Sequence, residues 1–239
     1  MSGPVSALPL RLEGVSYAER GVALLRDVTL TVAPRRRLVV LGPNGAGKSL
    51  LLRLAHGLIA PTAGAVIWTE PARAVHAQAM VFQRPVLLRR SARANIIHAL
   101  SLRGLARAAR RARAEAALAR FGLAPIAERP ARRLSGGEQQ RLAMARAWAT
   151  GPEILFLDEP TAHLDPAGTR AIETMIHAFS DEGMTIVMTT HNLGQARRLA
   201  EDVAFLHDGR LVESSDAQRF FARPQRAAAR AFIAGELYE

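Results

Sequence analysis

Residues 42–49 read Gly-Pro-Asn-Gly-Ala-Gly-Lys-Ser and satisfy the pattern G-x-x-x-x-G-K-[ST] at every fixed position. The apolar run Leu38 to Leu41 leads into them, and a leucine-rich stretch with helical character, Lys48 to Gly57, follows. The chain must therefore carry a buried strand into a glycine turn and on into a helix. Glycines let backbone N–H groups turn inward on phosphate oxygens, and the helix N-terminus adds its dipole. Lys48 offers a compact, flexible ammonium to the β and γ phosphates of a nucleotide, and the Ser49 hydroxyl can ligand Mg²⁺.

Composition removes several other chemistries. A chain of 239 residues suits one large domain, or a domain with a subdomain. With no cysteine there is no disulfide framework, no Cys-ligated zinc and no thiol nucleophile. The opening residues lack the basic and apolar regions of a signal peptide, and nowhere do about 18 apolar residues run together. The expectation is a cytosolic protein, or one held at a membrane by something else. Lys48 is the only lysine among 32 basic side chains, and the formal net charge is +11. That excess sits in one segment, because Arg84 to Arg133 carries 13 arginines against only Glu115 and Glu128.

Short apolar runs expected as strands are Leu10 to Tyr17, Val28 to Val32, Leu38 to Leu41, Ala65 to Trp68, Met80 to Phe82, Ile154 to Leu157, Thr185 to Met188 and Val203 to Leu206. Helices are expected from Ser91 (with Ala94, Ile97 and Leu100 or Leu102 on one face), Ala106 to Phe121, Glu138 to Ala149, Pro166 to Phe179 and Leu193 to Ala200. Such alternation argues for a mostly parallel sheet with helices on its faces.

Further residues fit around the glycine loop. Ile154 to Leu157 is an apolar run ending in Asp158, followed at once by Glu159. Beside a phosphate loop, that aspartate is suited to support the magnesium ion and the glutamate to orient or deprotonate an attacking water. Gln83 closes the Met80 to Phe82 run with an amide able to touch metal or water. His191 follows the Thr185 to Thr190 run and could contact a γ-phosphate, although a lone histidine is more often a structural hydrogen-bonder. Tyr17 could stack on adenine, or simply pack in a core.

Leu134-Ser135-Gly136-Gly137-Glu138-Gln139-Gln140, together with these motifs, resembles the nucleotide-binding subunit of an ATP-binding-cassette (ABC) transporter. The resemblance runs from about Leu10 to the C-terminus, with Tyr17, the glycine loop, Gln83, the signature, Asp158-Glu159 and His191 in family order. It implies an α/β P-loop NTPase with a mostly parallel sheet core, an N-terminal antiparallel β-subdomain and an inserted helical subdomain. The implied division is 8–83 and 150–213 for the ATPase core, 84–149 for the helical subdomain with the signature, and 214–239 for a C-terminal helical tail. The implied cofactors are ATP and Mg²⁺. Nucleotide contacts would come from Tyr17, Gly42, Pro43, Asn44, Gly45, Ala46, Gly47, Lys48, Ser49, Leu50, Gln83, Ser135, Gly136, Gly137, Glu138 and Asp165. Metal contacts would come from Ser49, Gln83 and Asp158, and catalysis from Glu159, His191 and Lys48.

The family's arrangement is a head-to-tail homodimer in which the signature of one copy covers the ATP held by the other. Ser135, Gly136 and Gly137 precede a helix, and their N–H groups, hydroxyl and positive helix end suit a γ-phosphate arriving from outside. Closing and opening of two such sites would drive separate membrane permease subunits, fed by an extracytoplasmic solute-binding protein, from the cytoplasmic face of the membrane. Residues 81–91, 190–198 and 231–237 look most like the ATPases of tungstate uptake systems, with phosphate and polar amino-acid importers as near relatives. Ala162-His163-Leu164-Asp165 departs from the family at His163, where a small residue or Asn is more usual. A nucleic-acid-linked ATPase is the competing reading of the charge, but Phe121 is the basic segment's only aromatic and no base-stacking set accompanies the arginines.

Overall fold

The structure, a computed structural model, describes residues 6–236. The first residues of the opening segment and the last three of the expected 214–239 tail lie outside that range. The strands are β1 (Leu10–Glu19), β2 (Val22–Val32), β3 (Arg37–Leu41), β4 (Ala63–Trp68), β5 (Gln78–Val81), β6 (Ile154–Asp158), β7 (Thr185–Thr189), β8 (Asp202–His207) and β9 (Arg210–Asp216). The helices are α1 (Lys48–His56), α2 (Pro71–Ala77), α3 (Ala92–Ser101), α4 (Arg107–Arg120), α5 (Gly136–Ala149), α6 (Pro166–Asp181), α7 (Leu193–Leu199), α8 (Ala217–Ala222) and α9 (Ala227–Ala234).

Two sheets form. One is three-stranded and antiparallel in the order β2-β1-β4, and the other is six-stranded in the order β5-β6-β7-β3-β8-β9, parallel except where β9 returns antiparallel on β8. The larger sheet is buried on both sides, which is why its central strands are continuous apolar runs. Alternate residues divide between its faces. Val39, Leu41, Leu155, Leu157, Ile186, Met188, Val203 and Phe205 point to the side covered by α5, α6 and the C-terminal helices. Leu38, Val40, Ile154, Phe156, Val187, Ala204 and Leu206 point to the side that holds α1 and the antiparallel sheet. The β8–β9 turn ties the two sheets together, with Arg26 N–H donating to the Gly209 carbonyl at 2.8 Å.

α3, α4 and α5 pack on one another, and their buried residues join the first of these clusters. Where α4, α5 and α6 meet, the Arg120 guanidinium lies 4.6 Å from the Trp148 ring centroid and pairs with Glu182. Trp148 Nε1 also donates to Glu182 at 2.9 Å, and Phe121 meets Phe179 edge-on.

Several expectations are corrected. β2 begins at Val22 rather than Val28, because pairing with β1 continues to the hairpin end. β5 ends at Val81, so Gln83 lies beyond the strand instead of closing it. The buried positions of α3 are Ala92, Asn95, Ile96 and Leu100, whereas Ala94 and Ile97 are half-buried and Leu102 is 72% exposed. Asn95 is drawn inward because its amide bridges Leu88 N–H and the Leu88 and Ser91 carbonyls. α5 begins at Gly136, so the two signature glycines form its first turn. α2, opened by Pro71 in its first turn, was not expected, and β9 carried no clear periodicity and emerges from its ladder with β8; residues 214–216 complete β9 before the tail begins.

Candidate functional site

The carboxyl ends of four adjacent strands, β5-β6-β7-β3, bring the chemistry together, as parallel α/β sheets do. β3 ends at Leu41 and opens into the glycine loop. β6 ends at Asp158, and β7 ends at Thr189, directly opposite Asp158 in register.

The loop's shape is set by close approach. Gly42 has φ +154°, and a Cβ there would stand 2.2 Å from the Leu206 carbonyl oxygen; Gly47, at φ +97°, would press a Cβ to 2.8 Å from Leu25 Cδ2. Gly47 is also the N-cap of α1, which has neither a side-chain cap nor an acid in its first turn. The helix thus presents its N–H groups and positive dipole end to the loop.

Lys48 is 6% exposed, and its Nζ donates to the carbonyls of Gly42 and Pro43, both at 2.9 Å. Burial lowers its pKa, opposed by the carboxylates of Glu159 and Asp158. Ser49 Oγ donates to Asp158 Oδ1 at 2.7 Å, and Thr189 Oγ1 donates to the same oxygen at 2.8 Å. Thr189 Oγ1 in turn accepts the Glu159 N–H at 2.9 Å. Glu159 leaves the strand at φ +42°, a left-handed conformation rare for a residue with a side chain. Its carboxylate sits between Lys48, 4.0 Å away, and His191 Nδ1, 3.3 Å away.

These groups surround a cleft of about 410 Å³ lined by Asn44, Gly45, Gly47, Lys48, Ser49, Leu50, Gln83 and Glu159, together with Leu24 and Arg53. Tyr17 stands apart from this lining: it lies within β1, partly buried against the core shared by the antiparallel sheet and α1. The oxygen donors Asp158, Ser49 and Gln83 form a hard set that suits Mg²⁺, which binds through one or two carboxylates with the rest of its shell from phosphate and water.

A second concavity, of about 500 Å³, is lined by Ser135, Gly136, Gly137, Arg141, His163 and Asp165 among others. Ser135 caps α5 in a reciprocal box: Glu138 N–H donates to Ser135 Oγ at 3.3 Å, and Ser135 N–H donates to Glu138 at 2.7 Å. The hydrogen bond from the Ser135 backbone N–H, helped by the Ser135 hydroxyl, holds the Glu138 carboxyl below its usual pKa. Asp165 likewise caps α6, accepting from Gly168 N–H at 2.6 Å. His163 adopts φ +67°, the region that glycine and asparagine occupy most easily. Of the expected site residues, Ser135, Gly136, Gly137 and Asp165 line one hollow and Asn44, Gly45, Gly47, Lys48, Ser49, Leu50, Gln83 and Glu159 the other, whereas Tyr17, Gly42, Pro43, Ala46, Glu138, Asp158 and His191 are in neither lining.

Sequence reasoning missed Thr189, Leu24 and Arg53. Thr189 was signalled weakly, as a hydroxyl closing an apolar strand; Leu24 and Arg53 carried no signal.

Residues 25–162 match the family model described as ABC transporter. The phosphate import ATP-binding protein PstB 2 of Natronomonas pharaonis is 38% identical, the alignment covering 95% of this chain and 87% of that protein. The cobalt import ATP-binding protein CbiO of Rhodobacter capsulatus is 39% identical over 85% of this chain and 77% of its own length. Among solved structures, cbiO1 of Clostridium perfringens, described as part of the ABC transporter complex cbiONQ, superposes with a TM-score of 0.81 at 26% identity, covering 91% of this chain and 92% of that one.

Thr189→Val keeps the side-chain volume but leaves the Glu159 N–H without its acceptor. We expect a stability loss of about 1–3 kcal/mol, read as a lower urea midpoint at unchanged slope.

Proposed function

The chain belongs to the ABC transporter family as the ATP-hydrolysing subunit of an import system, and from that premise we propose that two copies work as a head-to-tail pair on a membrane permease. The observation that carries the pairing is the division of one chain's site between two hollows. One offers an uncapped helix end, a lysine and a carboxylate pair. The other offers a second helix N-terminus with Ser135 and two glycines, and no lysine, since the chain has only one. Each supplies what the other lacks, so two antiparallel copies would enclose two ATP molecules.

In this reading Lys48 exchanges its loop carbonyls for the β and γ phosphates, and the α1 N–H groups hold the phosphate chain. Asp158, Ser49 and Gln83 would hold Mg²⁺, which when bound neutralises phosphate charge. Glu159 orients the attacking water and accepts its proton. Its left-handed backbone directs the carboxylate out of the sheet, and Thr189 fixes the turn. His191, beside Glu159, contacts the γ-phosphate, and Tyr17 contributes the adenine side. Ser135, Gly136, Gly137, Glu138 and Asp165 of the opposing copy complete the enclosure.

We assign residues 8–83 and 150–216, which include all of β9, to the ATPase core, 84–149 to a helical subdomain that receives the permease, and the residues from 217 onward to a C-terminal tail. Among the described residues no helix is long and apolar enough to cross a membrane. Attachment at the cytoplasmic face would come through the permease, with an extracytoplasmic solute-binding protein delivering cargo. For that cargo we propose an oxyanion, tungstate first. The likeness of residues 81–91 and 190–198 to tungstate uptake ATPases supports it, as does a relative named for import of phosphate, another tetrahedral oxyanion. Relatives named for methionine, nickel and cobalt import define the alternatives.

Three experiments follow. Glu159→Gln should bind ATP, abolish turnover and trap an ATP-dependent dimer in size-exclusion chromatography; hydrolysis at the normal rate excludes the assigned role. Complete modification by a lysine-selective reagent should abolish ATP binding, with MgATP protecting; retained affinity rules out Lys48 as a phosphate ligand. A solute-binding protein that feeds this transporter should gain about 2.7 kcal/mol of stability at a hundred-fold excess of its cargo over Kd. Tungstate, molybdate, sulfate, phosphate, methionine, nickel and cobalt, compared by thermal shift, identify which one.

A further inference from the structure

The basic segment has a charge that its own fold does not answer. Its only two carboxylates, Glu115 and Glu128, both pair with one residue, Arg93. Arg120 reaches out to Glu182, and Arg103 is spent on the carbonyls of Val75 and Gln78. Among the described residues, Arg107, Arg110 and Arg111 have neither a counter-ion nor a hydrogen-bond acceptor, and Arg110 Nε is shut off from solvent in that state.

These three arginines lie in the first turn and a half of α4, a 14-residue helix whose N-cap, Ala106, makes no side-chain cap and whose first turn holds no acid. Cations at a helix N-terminus oppose the dipole, and here three do so together. They also continue the stripe that further along buries Ala114, Ala117 and Leu118. The core-facing stripe of the helix therefore turns cationic where it overhangs the core. Beside it, in the α3–α4 corner, Leu102 is 72% exposed and lines a shallow groove with Val75, itself 71% exposed.

Guanidinium groups with no protein acceptor, a positive helix end and an apolar side chain at one corner match the chemistry of an anionic phospholipid surface. Phosphate headgroups accept bidentate hydrogen bonds from arginine, while an apolar residue enters the headgroup boundary. We propose that the α3–α4 corner, with Arg107, Arg110, Arg111 and Leu102, is a direct contact for anionic lipid headgroups, holding the subunit at the membrane in addition to its permease contacts. This rests on the import reading only for why a membrane is near. Nucleic acid fits less well, since the segment's sole aromatic, Phe121, is 5% exposed and offers no stacking platform.

The test is co-sedimentation of the purified full-length chain with vesicles of phosphatidylcholine alone and of phosphatidylcholine containing one third phosphatidylglycerol. We expect sedimentation only with the anionic vesicles, weakening as salt rises. The Arg107→Gln/Arg110→Gln/Arg111→Gln variant should partition more weakly by about five-fold per arginine, at an unchanged basal ATPase rate. Leu102→Ser should lose binding without altering its salt dependence, and serves as the reading if the triple variant misfolds. Equal sedimentation with both vesicles, undiminished binding by the variants, or displacement of the protein from vesicles by duplex DNA at matched phosphate overturns the proposal. ATP hydrolysis by the same preparation separates the two readings: an active enzyme that ignores phosphatidylglycerol sinks only the lipid contact, and an inactive one that still binds it leaves the lipid contact standing and counts only against the catalytic roles assigned to Lys48 and Glu159.

Discussion

One oxygen atom holds the site together. Asp158 Oδ1, at the buried end of β6, accepts hydrogen bonds from Ser49 on α1 and Thr189 on β7. It thereby links the glycine loop to two neighbouring strands through one 2%-exposed carboxylate. A charged group so deep is tolerated only where donors replace its lost water, and both donors are neutral hydroxyls supplied by adjacent elements. Thr189 extends the link to the Glu159 backbone, so the left-handed turn that aims the Glu159 carboxylate outward depends on the same node. The position of Ser49 relative to Glu159 is therefore fixed by hydrogen bonds across the strand ends, whereas the glycine loop is fixed by contact with Leu206 and Leu25 beneath it.

The local chemistry was legible in the sequence to the extent that it is written in consecutive residues. Glycine loop, signature and Asp158-Glu159 each state their geometry within eight positions, and the buried strands announce themselves as apolar runs because the sheet is covered on both faces. What the sequence concealed depends on pairing. β9 is an edge strand carrying Glu213, Ser214 and Ser215, and only its ladder with β8 makes it a strand. Thr189 looked like the polar end of a run until register set it opposite Asp158. The inward face of α3 was misread because Asn95, a polar residue, is buried as a hydrogen-bond hub for the preceding loop. The signature glycines were read as a loop before a helix, since glycine is a poor helix former; the capping box of Ser135 and Glu138 outweighs that preference.

The antiparallel sheet has a role in the site that its remoteness from the motifs hides. Leu24 and Leu25 of β2 lie against the glycine loop, one lining the cleft and the other limiting Gly47. Neither residue would be selected by a search for titratable or metal-binding groups. Their apolar bulk instead narrows the loop's choices, and the bond from Arg26 to the β8–β9 turn holds that strand in place. The helices on the opposite face are joined through a different device, the Arg120 guanidinium held among aromatic rings and Glu182, in which the segment's surplus of arginine is put to structural use.

The separation of the glycine loop from the Ser135 hollow has a genetic consequence. On the proposed pairing, each enclosed site borrows its two halves from different copies, so a lesion in either half disables both sites of a uniform population. A cell making two kinds of chain, one damaged only at Lys48 and the other only at Ser135, assembles mixed pairs in which both lesions fall in the same enclosure. The other enclosure is then wholly intact. Two alleles, each null by itself, would complement one another, and the extent of that complementation would count how many working enclosures a transport cycle requires.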